Sequence, residues 1–126
     1  MQKIFLLVGT IFGALGIGIG AFGAHALKKI LLENQRLDVF ETAVKYQFYH
    51  CFALLFLGLL LFRFNNEMLN WAGYLFIAGT IIFSGSLYIL SLSNIAKWGA
   101  VTPIGGVLMI LGWILLFSGI LKGYKI

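Results

Sequence analysis

The chain has 126 residues, of which 61% are hydrophobic and only 10% charged. A soluble domain carries about 25% charged residues, and in water a chain this short buries only about two-thirds of its surface. The composition therefore excludes a soluble globular enzyme and a disordered chain. The net charge of +5 is scattered between apolar runs. That suits membrane flanks rather than a nucleic-acid-binding stripe, and no nucleic-acid partner is expected.

Four stretches carry no charged residue: 4–24, 46–62, 71–93 and 98–121. Each approaches or exceeds the roughly 20 residues that span hydrocarbon. Backbone groups in lipid must be paired internally, so each is predicted to be a helix. The first stretch has a signal-peptide look, with Lys3 before it and Ala24-His25-Ala26 at its end. Its apolar run is too long and too rich in glycine for that reading, so it is expected to stay as the first span. It also carries glycines at 9, 13, 16, 20 and 23. Steps of four and three put all five on one helix face, where Gly9/Gly13 and Gly16/Gly20 are GxxxG pairs suited to close helix packing.

The connection 27–45 holds most of the charge and is expected to be amphipathic, with Ile30, Leu31 and Leu32 in the interface. Asp38 followed by Glu41 reads as an N-cap with its capping-box partner, so the second helix should start near Asp38 and project past the bilayer. Cys51 stands alone, which excludes an intrachain disulfide and any multi-cysteine metal site, and reads as a small buried apolar residue. The turn at 94–97 is very short, so the third and fourth spans form an antiparallel hairpin. Thr102 before Pro103 reads as the N-cap of the fourth helix, leaving 98–101 as an interfacial segment. The Gly105-Gly106 pair after it exposes backbone N–H groups at the positive helix end, though plain helix initiation is the preferred reading. Gly105, Gly112 and Gly119 make a second packing stripe. Trp71, Trp98 and Tyr124 fall at predicted span ends, as an aromatic belt requires.

Basic residues divide four to five between the two sides. Lys3, Arg63, Lys122 and Lys125 face Lys28, Lys29, Arg36, Lys45 and Lys97, and the positive-inside rule does not choose between them. A short echo of Gly9-Thr10-Ile11-Phe12 at Gly79-Thr80-Ile81-Ile82-Phe83 is too brief to establish a repeat. The expectation is one all-α domain over 1–126, an integral membrane four-helix transmembrane bundle.

Polar residues within the spans crowd into the membrane half that holds the end of the first span and the start of the second. Unpaired polar groups in hydrocarbon are costly, so these should turn inward and meet. The predicted binding cluster centres on Tyr46, Gln47, His50, Ser84, Ser86 and Tyr88, with His50 bonded to Ser84, Ser86 or Tyr88. Lys45 lies beside it, and Thr102 and His25 close its open end. Thr10, Thr80, Trp113 and Ser118 are assigned to the other half.

Four segments carry a family pattern: Gly20-Ala21-Phe22-Gly23-Ala24-His25-Ala26-Leu27, Thr42-Ala43-Val44-Lys45-Tyr46-Gln47-Phe48-Tyr49-His50, Phe83-Ser84-Gly85-Ser86-Leu87-Tyr88, and Gly99-Ala100-Val101-Thr102-Pro103-Ile104-Gly105-Gly106. Together, and in order, they resemble the small membrane proteins of domain-of-unknown-function family 423. Cys51 stands where alanine is expected. The resemblance implies a bacterial inner-membrane, multi-pass protein; it implies no activity and supplies no catalytic residues.

The preferred functional expectation is an accessory or scaffold protein that binds a lipid or a membrane partner, with the glycine faces also suited to self-association. The alternative is a small transporter or channel built around His50. An enzyme is not expected, because no carboxylate lies inside a span to support Ser84, Ser86 and His50. No cofactor and no metal are expected, since two histidines are too few ligands.

Overall fold

The computed structural model describes residues 2–124; Lys125, counted above for membrane orientation, lies outside the described residues. The chain forms α1 (Gln2–Ala24), α2 (Lys28–Glu33), α3 (Leu37–Leu60), α4 (Glu67–Ser93), a 3-10 turn (Ala96–Ala100) and α5 (Thr102–Gly123). It is an all-α bundle in which four helices are long and apolar enough to cross a membrane: α1, α3, α4, and α5 together with the turn before it. α1 and α4 run in one direction, α3 and α5 in the other. The short helix α2 lies at one end, called here the α2 end.

Two glycine seams organise the bundle. A side chain at Gly9 would meet Leu55 and the carbonyl of Cys51. At Gly13 it would meet the Cys51 sulfur, at Gly16 Phe48, at Gly20 Val44, and at Gly23 Phe40. The α1 stripe therefore lies along one ridge of α3, taken in antiparallel order. The α5 stripe lies on α4 in the same way. Gly105 meets Gly79 and the backbone of Phe83, Gly112 meets Phe76, and Gly119 meets Leu69. In lipid, where apolar burial drives little, such close backbone approach is what holds helices together. Both stripes are used within one chain.

Helix starts differ from expectation in two places. α3 begins at Leu37 with Arg36 in the N-cap position, and no side chain caps it. Asp38 sits inside the first turn, where its charge still complements the helix dipole, and its carbonyl accepts from Thr42 Oγ1 at 3.0 Å. The start is set by tertiary contacts. Arg36 Nε donates to Asn94 Oδ1 at 2.8 Å, and its N–H bonds the Leu31 carbonyl. Gln35 before it takes a left-handed φ of 57°. In α5, Val101 holds the N-cap position and Thr102 is the first helical residue, with Pro103 in the first turn. The hydroxyl of Thr102 meets Ser86 of α4 and the Trp98 carbonyl of the preceding turn, and it caps no N–H of α5. Gly105 is filled by α4 backbone, so the α5 N-terminus offers no open anion site there.

α4 is capped by side chain. Asn66 Oδ1 accepts from the Leu69 N–H at 3.0 Å, and its amide donates to the Gly119 carbonyl at 3.1 Å. This moves the helix start to Glu67, ahead of Trp71. Of the three apolar residues in α2, Leu31 is fully buried while Ile30 and Leu32 face outward.

Candidate functional site

The intramembrane polar residues do not form one cluster. They form separate interhelical bonds that tie the four spans to one another. Gln47 of α3 is buried; its Nε2 donates to the Phe12 carbonyl of α1 at 2.8 Å, and its Oε1 accepts from Tyr88 Oη of α4 at 2.6 Å. One side chain thereby joins three helices. Ser84 of α4 donates to the Ala43 carbonyl of α3 at 2.7 Å. Ser86 of α4 meets Thr102 of α5, oxygen to oxygen, at 2.6 Å.

His50 is buried, but its partners are not the expected serines or Tyr88. Its Nδ1 lies 2.8 Å from the Tyr46 carbonyl, and its Nε2 lies 3.1 Å from the indole N–H of Trp113. A carbonyl only accepts and an indole N–H only donates. The two partners together therefore specify the neutral ring with its proton on Nδ1. A charged imidazolium would set an N–H against the indole N–H. Phe76 and Trp113 also meet the imidazole edge to face, with ring centroids at 5.4 and 5.9 Å.

Trp113 is the partner that sequence reasoning missed: it stands midway along α5, as His50 stands midway along α3, so the two meet at mid-bundle rather than in opposite halves. The 3-10 turn uses up residues 96–100 before α5 begins. α3 in turn starts at Leu37, well before the predicted span start at Tyr46, and this puts His50 deeper than the span boundaries imply. Tyr46 enters the site through its carbonyl alone. Its ring is partly exposed and packs on Phe83 at 4.8 Å. His25 is exposed in the turn after α1 and bonds only through its backbone, so it does not close the cluster. Lys45 is exposed as well and lines a separate pocket.

That pocket lies at the α2 end between α1, α2 and α3. Its volume is about 360 Å³. Gly20, Gly23, Val44 and Phe40 form an apolar wall, and Lys28, Lys45 and Glu41 bring charge to it. The missing side chain of Gly20 leaves room there, while the Phe40 ring fills the space at Gly23. Among the described residues, no three histidine, cysteine, aspartate or glutamate side chains converge as a metal site would require.

A family model described as a protein of unknown function, DUF423, matches residues 19–106. A UPF0382 membrane protein of Staphylococcus aureus is 46% identical over 96% of this chain and 98% of its own length. One from Staphylococcus saprophyticus is 44% identical over 96% of this chain and 99% of its own. The UPF0382 membrane protein YwdK of Bacillus subtilis is 40% identical, covering 96% of this chain and 98% of its own. No solved structure matches. Extended identity over nearly full length, together with four membrane-length helices, places the chain in the DUF423 family of membrane proteins.

Proposed function

We propose that the protein is a non-enzymatic accessory protein of the cell's inner membrane that holds an anionic phospholipid at the α2 end. The observation that carries this reading is the pocket of about 360 Å³ lined by Lys28 and Lys45. Two lysines against the single carboxylate of Glu41 leave its charge positive. The pocket lies where α1 ends and α3 begins, at headgroup depth, so a phosphate can meet the lysines. The glycine and valine wall then accepts the upper part of an acyl chain.

The accessory reading is preferred to transport because His50 has both ring nitrogens engaged within the bundle. The carboxylates, in turn, fall in α2 or in the first two turns of α3 and α4. A proton-coupled path through the spans would need a titrating group free to change partners.

Native mass spectrometry of the detergent-solubilised protein, exchanged against phosphatidylglycerol or phosphatidylcholine, tests the proposal. The wild type is expected to retain phosphatidylglycerol preferentially. Lys28→Gln with Lys45→Gln should weaken that retention about tenfold or more, at about 1 kcal/mol per lysine. Both lysines are exposed, so the melting temperature should hold. Equal retention of the two lipids, or no loss in the double variant, removes the proposal.

A further inference from the structure

One stripe of α3 turns from charged to apolar on its way into the bilayer. Glu41, Lys45, Phe48 and Phe52 follow one another at steps of four, three and four, so they share a helix face. α3 starts at Leu37, at the α2 end, so Glu41 is the one of these four nearest to water. Lys45 stands one turn deeper, about 6 Å along the axis. Glu41 and Lys45 line the pocket together with Lys28 of α2. Phe48 and Phe52 continue the stripe below it with their rings stacked at 6.4 Å, and Phe52 faces outward.

A carboxylate works against a site that has only to hold a phosphate, because it repels the ligand's charge. Glu41 is exposed, and among the described residues its carboxylate has neither a hydrogen bond nor an ion pair. Neither Lys28 nor Lys45 is paired with it. An ionised carboxylate only accepts hydrogen bonds. Glu41 therefore calls for a donor, one turn outside the level at which Lys45 meets a phosphate. In a phospholipid that place belongs to the headgroup alcohol, which is joined to the phosphate on the side away from the acyl chains. The order along the stripe is then the order along the lipid: headgroup, phosphate, chain.

We infer that Glu41 selects the headgroup, and that the pocket takes a phospholipid whose headgroup is a polyol of the glycerol kind. Its phosphate lies between Lys28 and Lys45, a headgroup hydroxyl donates to Glu41, and one acyl chain runs inward along Phe48 and Phe52. This rests on the anionic-lipid reading of the same pocket and adds which part of the lipid is recognised. Charge favours a hydroxyl over an ammonium as the donor. Two lysines and one carboxylate leave one positive charge, which a phosphodiester with a neutral headgroup balances and a zwitterionic lipid does not. Phosphatidate fails in the opposite way. It has no headgroup alcohol, and its phosphate monoester carries a second, partial charge near pH 7, which Glu41 repels.

The test uses the whole protein in detergent, exchanged against phosphatidylglycerol, phosphatidate or phosphatidylethanolamine of equal chain length and read by native mass spectrometry. Wild type should retain phosphatidylglycerol over both of the others. Glu41→Gln should lower the ratio of retained phosphatidylglycerol to phosphatidate about fivefold, the worth of one charge near the membrane surface. Glu41 is exposed, so this variant should melt as wild type does. Glu33→Gln makes the same change of charge on α2, outside the pocket lining, and should leave the ratio unchanged. Phosphatidate retained by wild type as well as phosphatidylglycerol would overturn the inference. So would an unchanged ratio in Glu41→Gln, or an equal fall in Glu33→Gln, which would leave net charge as the whole effect. Phosphatidylethanolamine retained as well as phosphatidylglycerol would overturn the polyol assignment. In each of these cases a preference for phosphatidylglycerol over phosphatidylcholine still upholds the lysine pocket, whereas loss of that preference removes the pocket reading itself, so the two failures are read apart.

Discussion

The α1/α3 and α4/α5 seams are built from the same residue at nearly the same spacing, yet they close in different ways. Along α1/α3, each glycine faces mainly a side chain: Leu55, Cys51, Phe48, Val44 and Phe40 in turn. Along α4/α5, Gly79 and Gly105 face each other's backbone. A side chain at Gly79 would lie 2.9 Å from the Met109 nitrogen and 3.0 Å from the Gly105 carbonyl oxygen, and one at Gly105 2.8 Å from the Gly79 carbonyl oxygen. Side chains can swing aside, whereas backbone moves only with its whole helix. The α4/α5 contact is thus the stiffer of the two, and GxxxG spacing alone does not reveal which seam is which.

Substitutions can break that comparison in graded order. Gly105→Ala should have the largest effect, because its methyl group meets the backbone of Phe83 and Gly79. Separating α4 from α5 would also stretch the Ser86–Thr102 bond, and a loss of about 3 kcal/mol or more is expected, at the upper end of overpacking costs. Gly23→Ala meets the buried ring of Phe40, which has to tilt, and should cost about 2 kcal/mol. Gly18→Ala should have the smallest effect. Nothing lies within 4 Å of the added carbon, so stability should stay within about 0.5 kcal/mol of wild type or rise. Equilibrium unfolding in mixed detergent micelles measures all three. A cost at Gly23 equal to that at Gly105 would erase the distinction between the seams.

The spans could be read from the sequence because charge is so costly in hydrocarbon that charge-free runs mark them. The packing residues could be read because glycine at a three–four spacing has one dominant use in a membrane helix. Which helix each stripe meets is a matter of tertiary register, and no local signal carries it. The helix starts were harder for a related reason. Asp38 and Glu41 match a capping box, but Arg36 is held by Asn94 from far along the chain, and that contact fixes where α3 begins. The polar residues were recognised while their pairings were not. Gln47 and Ser84 bond to backbone carbonyls of Phe12 and Ala43, acceptors that every residue owns and that no sequence pattern marks. His50 and Trp113 are 63 positions apart, and no local pattern marks that pairing.

Each glycine seam joins spans that are consecutive in the chain, and this has a consequence for how the protein is made. The first hairpin can close before the second has been synthesised. The bonds between hairpins come afterwards: Tyr88 to Gln47, Ser84 to Ala43, Trp113 to His50, and Asn34 to the carbonyls of Ser91 and Leu92. Until the later helices arrive, Gln47 Oε1 and the outer nitrogen of His50 stand in lipid without these partners. That cost is relieved only by the correct second half in the correct register. The same side chains that hold the finished bundle thus proofread its assembly, and birth order along the chain becomes part of its folding code.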